Sequence, residues 1–176
     1  MTAERSRLLR YQVATSLDGY IAGPNGEYDW IASDESFDWD VFLSQFDTLL
    51  MGRKTYELTL SQGSVLKSTG KAIVVVSTTL DPAQHSDATI VSSDVANTVA
   101  RLKSQPGKDI WLFGGGALFR TMLDVGLVDR VELAVSPILL GSGVPVLPAG
   151  RRCPLRLLDS KALPSGMLVL TYAVVT

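Results

Sequence analysis

Two short apolar runs, Thr48-Leu49-Leu50-Met51 and Asp109-Ile110-Trp111-Leu112-Phe113, each end on glycine and pass at once into a segment of helical pattern. Runs of this length without a polar alternate are strands covered on both faces, the pattern of a parallel sheet sheathed by helices. The junctions themselves read Met51-Gly52-Arg53-Lys54-Thr55 and Phe113-Gly114-Gly115-Gly116-Ala117. A helix that opens directly from a strand presents its first N–H groups unpaired, and glycine leaves no Cβ to bar an anion from the backbone. Two such junctions suit a pyrophosphate. Either one alone is equally a tight turn with no ligand.

The rest of the chain alternates in the same way. Leu9, Tyr11 and Val13 at period two place a strand over residues 8–16, leaving through Leu17-Asp18-Gly19. Asp34 and Glu35, followed by Phe37, Val41, Phe42 and Phe46 at helical spacing, predict a short helix over residues 33–46. A helix over residues 53–60 stops at Ser61-Gln62-Gly63-Ser64, and Ala72–Val76 is another strand of the buried type. Thr89–Val91 is a strand, followed by a helix from Asp94 with Ser92 and Ser93 as caps, ending at Pro106-Gly107. After a helix over residues 117–125 the pattern becomes β throughout: 130–135, 139–147, 155–158 and 167–175. The expectation is a single α/β domain over residues 1–176, in three layers. A central, mostly parallel twisted sheet carries helices on both faces and an antiparallel C-terminal edge.

Composition excludes several classes. A net charge of -2 with scattered Lys and Arg gives no basic stripe for nucleic acid. No apolar run approaches the roughly 18 residues of a membrane span, and Met1 to Arg7 leads into no signal core, so a soluble, cytoplasmic protein is expected. The lone Cys153 permits no internal disulfide and reads as packing. His85, in the polar loop 81–87, has no second histidine or HExxH near it and reads as an exposed loop residue; no metal site is expected.

The glycines do not form the usual dinucleotide fingerprint, because Phe119 stands at the third position after Gly114 and Gly116, two thirds along the chain. Taken in order, residues 13–23 (Val-Ala-Thr-Ser-Leu-Asp-Gly-Tyr-Ile-Ala-Gly), Met51-Gly52-Arg53-Lys54-Thr55-Tyr56-Glu57, Val75-Val76-Ser77, Phe113 to Gly116 and Leu139-Leu140-Gly141-Ser142-Gly143-Val144-Pro145 resemble the dihydrofolate-reductase-like superfamily over about residues 8–175. Within it the chain is most similar to stand-alone relatives of the reductase domain of the riboflavin-pathway deaminase-reductase. That resemblance implies a dihydrofolate-reductase-like fold and NADPH as cofactor. It places Arg53, Lys54, Ser77 and Thr78 around the 2'-phosphate, and Gly52, Thr55 and Gly114, Gly115, Gly116, Ala117 and Leu118 around the pyrophosphate. Ala14 and Ile21 would flank the nicotinamide. A guanidinium fork and a strand-end hydroxyl are suitable phosphate ligands, in agreement.

On the substrate side the chain departs from its relatives. Asp34, Glu35 and Asp38 are the carboxylates offered where dihydrofolate reductase grips its pterin; they are proton-relay candidates or ordinary helix-start acids. Asp18 either touches substrate or shapes its turn. Ala134 replaces a substrate-side threonine, which argues against folate, and Tyr56 to Leu60 replaces the Asp-Asp-Pro of riboflavin-pathway reductases. Trp30, Trp39 and Phe42 line a flat pocket or the core, and Arg151-Arg152 either meets a substrate phosphate or, as expected here, faces water. Residues 18–29, with Gly19, Gly23 and Gly26, form a candidate lid. Three readings stay open: a reductase of a small pyrimidine- or pterin-like substrate, a true dihydrofolate reductase, and a non-catalytic NADPH-binding module. The resemblance also implies a homodimer, with the antiparallel edge as its interface.

Overall fold

Successive residues of the apolar strands point to opposite faces, and both faces are buried. In the computed structural model, which describes residues 6–61 and 69–175, Leu50, Val74, Ile110 and Leu112 join Tyr11, Phe119 and Met122 in one core. Leu49, Met51, Ile73, Val75 and Trp111 join Phe42, Phe46 and Tyr56 in a second. The strands separating these cores are β3 (Phe46–Gly52), β4 (Ala72–Val76) and β6 (Asp109–Gly114). They lie in an eight-stranded sheet completed by β1 (Leu9–Ser16), β5 (Thr89–Val91), β7 (Arg130–Ser136), β9 (Leu155–Ala162) and β10 (Leu168–Val174). The order is β5-β4-β3-β6-β1-β7-β10-β9, parallel from β5 through β7 and antiparallel through β10 and β9. A separate ribbon pairs β2 (Tyr20–Ala22) with β8 (Val144–Pro145).

Helices α1 (Trp39–Ser44) and α2 (Arg53–Ser61) bring Phe42 and Tyr56 to the second core. On the opposite face α3 (Val95–Ser104) and α4 (Gly116–Asp124) bring Val99 and Met122 to the first. Phe119 stacks on Tyr11 at 3.8 Å between centroids, and Phe42 meets Trp111 edge-on at 5.0 Å. The expected α/β fold with its antiparallel edge is thus the observed one.

Several local expectations need correction. The helix expected over 33–46 shrinks to residues 39–44, because Asp34 folds back onto the Ser36 amide at 2.9 Å and so competes with helix formation. Asp38 caps α1 instead, accepting from Val41 N at 2.9 Å, while Phe46 turns away into β3. The cap of α3 is Asp94, not a serine, and its carboxylate accepts from Asn97 Nδ2 at 2.7 Å rather than from the backbone. Only Val144–Pro145 of the expected strand 139–147 pairs, since Gly141 and Gly143 take positive φ. His85 is half-buried, with Nδ1 3.3 Å from Tyr56 Oη, so it is not a free loop residue. The turn formers Gln62-Gly63-Ser64 and the Met1 to Arg5 segment lie outside the described residues. No described helix is long and apolar enough to cross a membrane.

Candidate cofactor and substrate site

Because β3 and β6 are sheet neighbours, the two glycine junctions lie side by side at the C-terminal ends of the parallel strands. A methyl group added to Gly52 would sit 4.0 Å from Gly114 O. One added to Gly115 would meet only Thr55 Oγ1, at 3.6 Å. Gly115 is the extended residue that opens α4; no side chain caps the helix there, and the Gly114–Gly115 peptide is cis. The first N–H groups of a nine-residue helix therefore point into a cradle without Cβ atoms, flanked by the Thr55 hydroxyl. The cradle fits a pyrophosphate.

Beside it, Gly52 pairs with Val76 in register, which brings Arg53 and Lys54 alongside Ser77 and Thr78 at the end of β4. Lys54 and Thr78 are exposed. Ser77 is buried, and its Oγ accepts from Thr79 N at 3.2 Å and Leu80 N at 3.1 Å, so its hydroxyl shapes the loop. Arg53 pairs with Glu57 at 2.9 Å with both side chains more than 40% exposed. A pair this exposed is worth about 0–1 kcal/mol, so it holds the guanidinium only weakly.

Of the two residues expected to flank a nicotinamide, Ala14 pairs with Ala134 across β1 and β7, and half-buried Ile21 lies on β2. The intervening turn is clasped from outside. Asp18 Oδ1 accepts from Ser16 Oγ at 2.6 Å and Leu140 N at 3.1 Å, and Oδ2 from Gly141 N at 2.7 Å. The Ser16 hydroxyl first, then these amides, hold the Asp18 carboxyl below its ordinary range. Asp18 therefore fastens the turn to the loop before β8.

Where substrate is expected lies an apolar cluster of Ala134, Leu163 and Met167 with Ala14, Phe37 and Val169 packed on it. The carboxylates expected to serve it are engaged elsewhere or face water. Asp34 accepts from Ser36 Oγ at 2.5 Å and Ser165 N at 3.0 Å. The hydroxyls of Ser165 and Ser36, in that order, hold its carboxyl far below the usual range. Glu35 is exposed, and Asp38 is the cap of α1. Of the aromatic residues, Phe42 is core, Trp30 is half-buried with Nε1 on Glu27 O at 3.0 Å, and Trp39 is 55% exposed beside Phe37. Ser136, at the end of β7 and paired with Ser16, was not expected in the site. It is 1% exposed, and its hydroxyl has no partner among the described residues.

Sequence reasoning missed the Asp34–Ser165 and Asp18–Gly141 clasps because each joins segments more than 120 residues apart. A serine placed one strand-repeat beyond Ala134 was the only available signal for Ser136.

With this geometry in view, the chain matches the RibD C-terminal domain family over residues 7–169. The uncharacterized protein YyaP of Bacillus subtilis (strain 168) is 32% identical over 180 residues, covering 96% of this chain and 95% of YyaP. A Shewanella sp. PV-4 protein assigned to riboflavin biosynthesis superposes with a TM-score of 0.83 at 26% identity, over 96% of this chain and 99% of that one. Two further structures share the fold at 16% identity. The Thermotoga maritima deaminase/5-amino-6-(5-phosphoribosylamino)uracil reductase gives a TM-score of 0.68 over 97% of this chain and 57% of its own. Enterococcus faecalis dihydrofolate reductase, complexed with NADP(H), gives 0.66 over 96% and 97%.

Proposed function

The chain belongs to the RibD C-terminal domain family, and from that premise we propose that it is an NADPH-dependent reductase acting on a small pyrimidine- or pterin-like heterocycle. The observation that carries this reading is the juxtaposition of the Gly52 and Gly114 junctions across β3 and β6.

In this reading the α4 N-terminus, Thr55 and residues 114–118 hold the pyrophosphate, and Arg53, Lys54 and Thr78 hold the 2'-phosphate, with Ser77 shaping their loop. Bound NADPH supplies the hydride. Ala14 and Ile21 orient the nicotinamide ring against the apolar cluster, whose exclusion of water keeps the hydride path dry. Asp34 is held ionised and Asp38 is committed to a helix cap, so the proton of the reduction is assigned to water. The same apolar cluster, beside which the Asp34 carboxylate is spent on Ser36 and Ser165, favours a second reading, a module that binds NADPH without turning over.

The test is NADPH oxidation by the purified protein across a panel of pyrimidines and pterins. Turnover on any panel member that disappears in Gly115→Ala supports the reductase. NADPH binding with no oxidation across the panel favours the binding module, and failure to bind overturns both readings.

A further inference from the structure

The far end of the sheet, where the parallel strands begin, holds a cleft of about 460 Å³ lined in part by Arg7, Arg10, Lys108, Asp109 and Arg130. It shares no residue with the glycine junctions. Four of these five side chains are cationic, and the charges are unevenly matched. Arg7 is saturated: Nε donates to Lys108 O at 2.6 Å, Nη1 to Leu102 O at 3.3 Å, and Nη2 to Thr48 Oγ1 at 2.7 Å and to Asp47. Arg10 is buried and paired through two parallel bonds with Glu132 at 2.7 and 2.8 Å, with Asp109 at 3.3 Å and Gln45 at 2.7 Å completing its set. Asp47, Asp109 and Glu132 are thus the ion-pair partners of the two buried arginines.

Arg130 is left over. It stands directly opposite Arg10 in the β1–β7 register, half-buried, with no side-chain hydrogen bond or ion pair among the described residues. Among the described residues, the Nζ of Lys108 donates to Ser44 O at 2.8 Å, and that of Lys71 to the carbonyls of Leu43 and Phe46 at 2.7 and 2.9 Å. Burial first and the Lys108 charge second lower the Lys71 pKa, against a smaller opposing effect of Asp47. The cleft and its margin thus gather five cations, Arg7, Arg10, Arg130, Lys108 and nearby Lys71, against the three carboxylates Asp47, Asp109 and Glu132, in a volume within the roughly 300–1,000 Å³ range of small-molecule sites.

We infer that this cleft is a second ligand site, separate from the cofactor cradle, for a small phosphate-bearing polyanion. The Arg130 guanidinium offers a planar fork for two phosphate oxygens, and Lys108 adds a mobile point charge at the rim. Free phosphates and phosphorylated metabolites share this chemistry.

Inorganic pyrophosphate is the probe, followed by amide NMR on the whole chain, with and without saturating NADPH. The expected result is a saturable shift of the Gly107, Lys108, Asp109 and Arg130 amides that persists with NADPH bound. Its half-saturation concentration rises at least about tenfold in Arg130→Gln and in Lys108→Gln, and stays unchanged in Arg53→Ala. Lys108 is exposed, so Lys108→Gln decides the matter if Arg130→Gln fails to fold. Shifts confined to residues 52–55 and 114–118, no saturable shift, or wild-type titration by the folded variants would overturn the inference.

Discussion

Asp34 carries more of the architecture than its place in an acidic turn suggests. It ties the segment before α1 to the turn between β9 and β10, closing Phe37 over the apolar cluster. Its folded pKa is depressed, so its contribution is fully present above the unfolded carboxyl pKa of about 3.9 and is lost as pH falls through the lower folded value. Asp34→Asn should lower Tm by a constant amount above about pH 5, and the gap to wild type should close in acid below about pH 4. Thermal melts across pH check this, and a gap that persists at the lowest pH contradicts it. Glu132 is a different case, since it faces Arg10 with both side chains 7% exposed. Glu132→Ala leaves a buried guanidinium short of its main partner and should cost about 3–5 kcal/mol in denaturant unfolding. Neither role was legible locally. Asp34 read as a helix-start acid, and Glu132 as one polar position in an alternating strand, because their partners arrive from distant parts of the chain.

At the scale of elements, the glycine junctions were legible because strand burial and helix initiation are both written in contiguous residues. The division of labour between the glycines was not. A methyl group on Gly116 would fall 2.9 Å from Pro145 O and 3.1 Å from Val146 O, whereas one on Gly115 meets nothing closer than 3.6 Å. Gly116→Ala should therefore push α4 off the β8 segment and lower Tm. Gly115→Ala should leave Tm near wild type while weakening NADPH binding, because its methyl enters the cradle. Paired melts and titrations separate the two, and a Gly115→Ala protein that binds NADPH normally would remove the pyrophosphate from this turn. The helix over 33–46 and the length of β9 were misread for a related reason. Periodicity does not report a side chain that bonds its own backbone, nor a bulge such as the one that shifts β9 against β10 near Tyr172.

Across the whole molecule, the most exposed surface of the sheet is its antiparallel end, where every residue of β9 is exposed. The register places Leu155 and Leu157 beside Val174 and Tyr172 on one face, and Arg156, Asp159 and Lys161 on the other. Leu155, Leu157 and Leu168 are 42%, 53% and 38% exposed, an apolar face that invites association. The homodimer implied by the family resemblance is proposed to bury this face rather than only the strand edge. Sedimentation should then show a dimer that Leu157→Glu converts to monomer, and a monomeric wild type would contradict the proposal. The proposed cofactor cradle lies in the opposite half of the sheet, and titration of the purified chain with NADPH and NADH, followed by Trp fluorescence, in wild type and Arg53→Ala, tests it. NADPH should bind at least about tenfold tighter than NADH, or ~1.4 kcal/mol, with the preference eroded in Arg53→Ala. Binding of neither nucleotide, or equal binding untouched by the substitution, would contradict a 2'-phosphate site at Arg53.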